Sequence, residues 1–231
     1  MKKSIYILSM LAALLANPAN TSNAQSKLEA VASVDINSGY RFRGMKFSEK
    51  GVVQPTININ YGPYTGTIFA NHDMNLGFVN EYDFILRHDQ KITDDISIST
   101  SFTYLDLPRT DLVKSREIAI GVNTSYFLNP SLIIAKDIDK GAGEYVGLTI
   151  NKDSLVSIAG IPINASVAIG YNNHYWSCAK SWSHADISLK TSLPIDDKIS
   201  ITPNITFSRS LNKNYFQNQT ITGLNIAMKL D

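Results

Sequence analysis

Apolar and polar residues alternate along the chain between residues 30 and 230, in stretches of about ten residues. The last stretch shows the pattern clearly, with four apolar residues at every second position: Leu224, Ile226, Met228 and Leu230. Only a β-strand places neighbouring side chains on opposite faces. The sequence therefore predicts an all-β fold of about twelve strands, with ten as the alternative.

Turn residues separate the predicted strands. Gly62-Pro63, Asn129-Pro130 and Asp196-Asp197 are typical of tight turns. Longer polar stretches lie between such turns, at residues 45–51, 106–115, 173–183 and 210–219. Short turns at one end and longer loops at the other are typical of antiparallel transmembrane β-barrels. A soluble β-sandwich also alternates, but the polar face here is mostly Ser, Thr, Asn and Gly, which favours a barrel lumen.

The amino terminus has the features of a secretory signal peptide. Lys2 and Lys3 precede an apolar run over residues 5–16, and Ser22-Asn23-Ala24 provides a small-x-small cleavage site. We therefore expect a signal peptide at residues 1–24 and an outer-membrane β-barrel domain at residues 25–231. This arrangement predicts export to the outer membrane of a Gram-negative cell.

Composition and charge exclude several classes of function. The formal net charge is only +1, so the sequence does not indicate a nucleic-acid partner. Cys178 is the only cysteine, so no internal disulfide can form. His, Asp and Glu show no metal-ligand spacing, and we expect neither a metal nor a cofactor.

Eight charged residues lie on the predicted lumen face and are candidates for selecting ions or solutes: Asp35, Arg41, Arg43, Asp83, Arg87, Glu117, Asp186 and Lys190. The first strand is predicted to run from residue 28 to residue 44, so Asp35, Arg41 and Arg43 all belong to it. Rings of charge set the preference of a pore. The same residues could instead form a lattice of salt bridges that plugs a narrow barrel. The loops are short for a porin with a constricting loop.

The segment Tyr40-Arg41-Phe42-Arg43-Gly44 resembles the opening element of the TorF-type porin family of bacterial outer-membrane β-barrels. Gln54-Pro55 resembles the Pro-containing second strand of that family, and Glu81-Tyr82-Asp83-Phe84 resembles its acidic-aromatic strand. The resemblance implies an outer-membrane barrel whose substrate is not established.

These observations predict a porin or channel for passive diffusion of small hydrophilic solutes. The alternatives are a closed, non-conducting barrel with a structural or surface-interaction role and, third, an outer-membrane enzyme. Ser183-His184-Ala185-Asp186 contains the residue types of a hydrolase, but His184 and Asp186 share a face without giving a nucleophile its base, and no Gly-x-Ser-x-Gly motif occurs. We therefore expect no enzymatic activity. The expected partners are outer-membrane lipids, the barrel assembly machinery and the solutes themselves, and the oligomeric state stays open.

Overall fold

The structure, a computed structural model, describes residues 27–108 and 114–230. The predicted signal peptide lies outside the described residues. Regular structure within these ranges consists of strands alone, listed here in chain order: β1 (Leu28–Asn37), β2 (Tyr40–Phe42), β3 (Met45–Ser48), β4 (Val52–Tyr61), β5 (Tyr64–Asp73), β6 (Phe78–Lys91), β7 (Ile96–Asp106), β8 (Lys114–Thr124), β9 (Ser131–Asp137), β10 (Glu144–Ile158), β11 (Ile161–Asn173), β12 (Lys180–Lys190), β13 (Leu193–Pro194), β14 (Ile199–Ser210) and β15 (Gln219–Leu230). None of the described residues belongs to a helix long and apolar enough to cross a membrane.

Twelve strands of the described chain form one closed antiparallel barrel. Strand β1 pairs with both β4 and β15, and β12 pairs with β14, which closes the ring. The short strand β13 follows β12 and pairs with the same neighbour, β14. The predicted fold of about twelve strands is confirmed, and a two-sheet sandwich is excluded because a single sheet closes on itself.

The alternating pattern separates the two faces of the barrel wall. On β10, Leu148 and Ile150 are exposed on the outer surface, whereas Thr149 and Asn151 lie on the lumen side. On β6, Phe84 and Leu86 are exposed outward while Asp83 is buried inside. An outer face of exposed apolar side chains around a polar lumen is the arrangement that a bilayer requires.

The two ends of the barrel carry different connections. One end, called the loop end here, carries residues 38–51, 138–143, 174–179 and 211–218. The other, the turn end, carries residues 62–63, 92–95, 125–130 and 159–160. The predicted turns and the other predicted loops thus fall at opposite ends, whereas most of the predicted loop at 106–115, residues 109–113, lies outside the described residues.

The first strand is shorter than predicted. Strand β1 ends at Asn37, and the residues after Gly39 form a separate hairpin in which β2 pairs only with β3. Arg43 and Gly44 connect these two strands with φ values of 49° and 87°. Two consecutive positive φ angles make a type I′ turn, which reverses the chain within two residues. Arg41 and Arg43 therefore do not continue β1, which corrects the prediction of one strand to residue 44.

Residues 40–48, called the plug hairpin here, fold into the lumen near the loop end. Phe42 and Met45 pack against a buried cluster of wall and loop residues: Ala119, Ala135, Tyr145 and Tyr175. Gln219 on β15 donates a hydrogen bond to the backbone carbonyl of Ser48. The loops are short for a porin with a constricting loop, as the sequence indicates, but this hairpin of nine residues extends into the lumen and contacts small residues of the wall, Ala119 and Ala135.

Candidate functional site

Arg43, at the tip of the plug hairpin, makes the central ion pair of the lumen. Its guanidinium binds both carboxylate oxygens of Glu117 on β8, with 2.6 Å between Nη2 and Oε1. The guanidinium carbon lies 4.8–5.1 Å from the ring centres of Phe42, Tyr145 and Tyr175. Only 11% of the Arg43 side chain and 4% of the Glu117 side chain are exposed. The pair therefore combines a bidentate ion pair with cation–π contacts away from bulk water.

Tyr175 also binds the carboxylate of Glu117. It lies in the loop after β11, has no exposed surface, and its hydroxyl donates a 2.5 Å hydrogen bond to Glu117 Oε2. Its backbone is held by Asn172, which accepts from the Tyr175 N–H and donates to the Tyr175 carbonyl. Burial raises the pKa of the Tyr175 hydroxyl, so the group stays protonated as a donor. A loop of the barrel thereby closes over the Arg43–Glu117 pair.

Arg41 faces a different wall of the lumen. Its Nη1 donates to the hydroxyl of Ser208 on β14, and that hydroxyl donates to Asp186 on β12. His184 Nε2 lies 3.5 Å from Asp186 Oδ2. Arg41 and Asp186, two of the predicted site residues, therefore belong to one charged network that holds β2 against β12 and β14.

Ser183, His184 and Asp186 come closer to a hydrolase arrangement than the sequence indicates. Ser183 Oγ lies 2.8 Å from His184 Nδ1, on the far side of the ring from Asp186. However, the Ser183 hydroxyl donates to the carbonyl of Gly170, and its side chain has no exposed surface. This hydroxyl is not accessible to a substrate in the structure. The Ser183–His184 contact is therefore part of the packing beneath the plug hairpin.

Glu81 and Asp83 form an acidic strip on the β6 wall beside Tyr40. The Tyr40 hydroxyl lies 3.5 Å from Glu81 Oε1. Burial raises the pKa of the Tyr40 hydroxyl, and the two carboxylates raise it further, so this group also stays protonated. The neighbouring wall is a ladder of neutral amides in which each side chain hydrogen-bonds to the next: Asn37, Gln54, Asn71 and Asn80.

The turn-end half of the lumen is more open and mostly neutral. Arg87 and Asp89 form an exposed ion pair on β6, with Nη2 and Oδ1 2.6 Å apart. A cavity of about 370 Å³ extends from this pair to Arg43 and Asp83 beneath the plug hairpin. It is also lined by Asn, Ser and Thr side chains of β4, β5 and β7.

The predicted site residues thus fall into three groups. Arg43, Glu117, Asp83 and Arg87 line the same cavity, where Arg87 pairs with Asp89. Arg41 joins Asp186 on another side of the plug hairpin. Asp35 and Lys190 lie elsewhere on the lumen face, on β1 and β12. Sequence reasoning did not find Tyr175, whose role depends on a loop folding inward.

The structure is similar to several solved outer-membrane barrels. It superposes on the NanC porin with a TM-score of 0.59 at 9% identity, over 85% of this chain and 100% of that chain. An outer membrane channel from Pseudomonas putida F1 gives a TM-score of 0.54 at 7% identity, over 92% of this chain and 100% of that one. The KdgM porin in complex with disordered oligogalacturonate gives 0.51 at 9% identity, over 88% and 98%. These likenesses show a shared fold, that of an outer-membrane β-barrel.

Comparison with known protein families and with curated proteins found no match to this sequence.

Proposed function

We propose that the chain is an outer-membrane channel for the passive diffusion of small hydrophilic solutes, with the plug hairpin as its narrowest part. The observation that carries the proposal is the polar lumen of a twelve-stranded barrel, in which a cavity of about 370 Å³ runs up to the hairpin tip. Residues 1–24 would direct export as a cleaved signal peptide, and residues 25–231 would form the barrel. The exposed apolar belt would contact lipid after insertion by the barrel assembly machinery.

Eight charged residues would bias which solutes pass. Arg41 and Arg43 lie on the plug hairpin, and Asp83, Glu117 and Asp186 lie on the wall around it, where a permeating solute would meet the smallest cross-section. Asp35, Arg87 and Lys190 line the wider half and would act at longer range. The solved KdgM porin contains oligogalacturonate, a hydrophilic molecule, which is in keeping with a hydrophilic substrate here.

The Tyr40–Gly44 segment supports a finer proposal, that the chain belongs to the TorF-type porins. In this structure that segment is strand β2 and the turn at the tip of the plug hairpin. Its aromatic and arginine residues make the contacts that hold the hairpin in the lumen.

Single-channel recording in a planar bilayer tests the channel function. We expect discrete conductance steps from the purified, folded protein. The Arg41→Ala/Arg43→Ala variant should change ion selectivity or conductance, because it removes both guanidinium groups from the constriction. A folded, inserted wild-type protein that passes no current would overturn the proposal.

The tight packing at the plug hairpin favours a second candidate, a closed barrel with a structural or surface-interaction role. Tyr175 has no exposed surface, and Glu117 is almost completely buried behind it. A protein that migrates as a folded barrel on unboiled gels but is silent in bilayers would support this function.

A further inference from the structure

Two acidic side chains on the lumen wall lack a cationic partner among the described residues, although the Tyr40 hydroxyl lies 3.5 Å from one oxygen of Glu81. Glu81 and Asp83 are two residues apart on β6, on the same face, and only 1% and 8% of these residues is exposed. Within the described parts of the chain, Glu81 Oε2 and Asp83 Oδ1 have no hydrogen-bond partner. A carboxylate removed from water is costly unless it is paired.

The cationic groups of the constriction do not supply that partner. Both terminal nitrogens of Arg43 bind Glu117. Arg41 follows Tyr40 on β2, and alternation along a strand sends its side chain to the β14 wall while Tyr40 meets the β6 wall. No ion pair to Glu81 or Asp83 occurs among the described residues.

Asp83 gives the acidic strip its contact with the open part of the lumen. Asp83 lines the cavity of about 370 Å³ that opens toward the turn end. The side chains beside the strip on the loop-end side, Asn71 and Asn80, are neutral amides and contribute no positive charge.

We propose that Glu81 and Asp83 form a cation-binding site at the constriction, so that the channel passes cations in preference to anions. The inference rests on the proposed channel function and names its substrate class. Carboxylate oxygens bind hard cations such as Na⁺, K⁺ and Ca²⁺. A site in a pore must release its ion as readily as it takes it. Monovalent cations would therefore pass, whereas Ca²⁺ would remain longer and reduce the K⁺ current.

The reversal potential in a KCl gradient tests the selectivity. The Glu81→Gln/Asp83→Asn variant keeps the shape of both side chains and removes both charges. We expect cation selectivity in the wild-type protein and a drop in its K⁺-to-Cl⁻ permeability ratio of at least threefold in the variant, since one unit charge about 4 Å from an ion contributes a factor of about five even in water. The matched control is Asp94→Asn/Asp197→Asn, which removes two exposed carboxylates at the turn end and should leave the ratio nearly unchanged.

Calcium provides the second measurement. Millimolar CaCl₂ should reduce the K⁺ current of the wild-type protein and of the control, but not that of the Glu81→Gln/Asp83→Asn variant. A conducting protein with the same selectivity and the same calcium response in wild type and variant would overturn the cation site while leaving the channel function intact. Such a result would mean that the two carboxyl groups share a proton and carry little charge.

A silent protein would overturn the channel function instead, and the site is then judged by stability. CaCl₂ should raise the unfolding temperature of the wild-type protein in detergent micelles, relative to choline chloride of equal ionic strength, and should not raise that of the variant. An equal effect on both proteins would overturn the site.

Discussion

At the scale of single residues, the Arg43–Glu117 pair joins the tip of the plug hairpin to the barrel wall. The Arg43 guanidinium donates hydrogen bonds to both carboxylate oxygens of Glu117, and the Tyr175 hydroxyl donates to the same carboxylate. Each of these groups is buried, so the loss of one leaves another without compensation.

The Arg43→Met variant should lower the free energy of unfolding by about 3–5 kcal/mol, the usual effect of breaking a buried ion pair from one side. The Arg43→Met/Glu117→Gln variant should recover most of that loss, because it removes the stranded charge and keeps an acceptor for Tyr175. Denaturant unfolding in detergent micelles or lipid vesicles measures both. Equal losses in the single and double variants would show that packing, rather than charge, holds the hairpin.

Gly44 allows the hairpin tip to approach the barrel wall. A Cβ atom at this position would lie 2.5 Å from His184 Nδ1 and 3.1 Å from Ser183 Oγ, in addition to the strain of a φ of 87°. Gly44→Ala should therefore loosen the hairpin, which a lower unfolding temperature and larger current fluctuations would reveal.

Gly160 offers the matched control for this substitution. It is the second residue of another two-residue turn with two positive φ angles, Ala159-Gly160, and a Cβ there meets nothing within 4 Å. Gly160→Ala carries the backbone strain alone, of about 1 kcal/mol. If Gly44→Ala and Gly160→Ala lower the unfolding temperature equally, the close approach of residue 44 to His184 does not contribute to stability.

At the scale of elements, the sequence predicted the wall of the barrel better than the contents of its lumen. The alternation that defines β1 continues through Tyr40 and Phe42, so the plug hairpin looked like the end of a long strand. Arg43-Gly44 is not one of the Asn-Gly or Asp-Gly pairs that usually indicate a two-residue hairpin turn. In the folded chain the turn is stabilised by the ion pair between Arg43 and Glu117, which are 74 residues apart in sequence, and no local sequence pattern contains such a contact.

One sequence signal could have indicated the plug. The lumen face of β8–β11 carries small residues around the hairpin and the residues packed against it: Ala119, Ala135, Gly147 and Gly170. A Cβ on Gly147 or Gly170 would collide with the side chain of Tyr145, itself part of the packing around the hairpin. Small side chains on the lumen wall leave space beside it, and protein interiors are close-packed, so another segment of the chain is expected to fill that space.

The plug hairpin should be separable from the barrel. Asn37 and Val52 are directly paired at the ends of β1 and β4, so a two-residue Asn-Gly turn can replace residues 38–51. We expect the shortened protein to close its barrel and to conduct several-fold more current than the wild-type protein, since the narrowest cross-section is gone. A faster-migrating band before boiling verifies the fold. Unchanged conductance in a folded variant would mean that the constriction lies elsewhere.

At the scale of the whole molecule, the barrel reverses the arrangement of a soluble protein. Its large apolar residues are exposed outward, and its buried residues are mostly polar: Gln54, Asn71, Glu81, Asp83, Glu117, Asp137 and Asn172. Such a surface is stable only in contact with lipid, and such an interior only because its polar groups bind one another, the plug hairpin or water.

Neighbouring positions on β10 test this reversal directly. Leu148 is exposed on the outer face between Leu132 and Ile169 of the adjacent strands, whereas Thr149 lies on the lumen face. Leu148→Arg should destabilise the protein in lipid vesicles by about 2–4 kcal/mol, the cost of a charge at the middle of a bilayer, whereas Thr149→Arg should change stability by much less. Urea unfolding in vesicles compares the two variants. If both arginines were tolerated equally, the outer face would not be in contact with hydrocarbon, and the membrane-spanning arrangement would have to be abandoned.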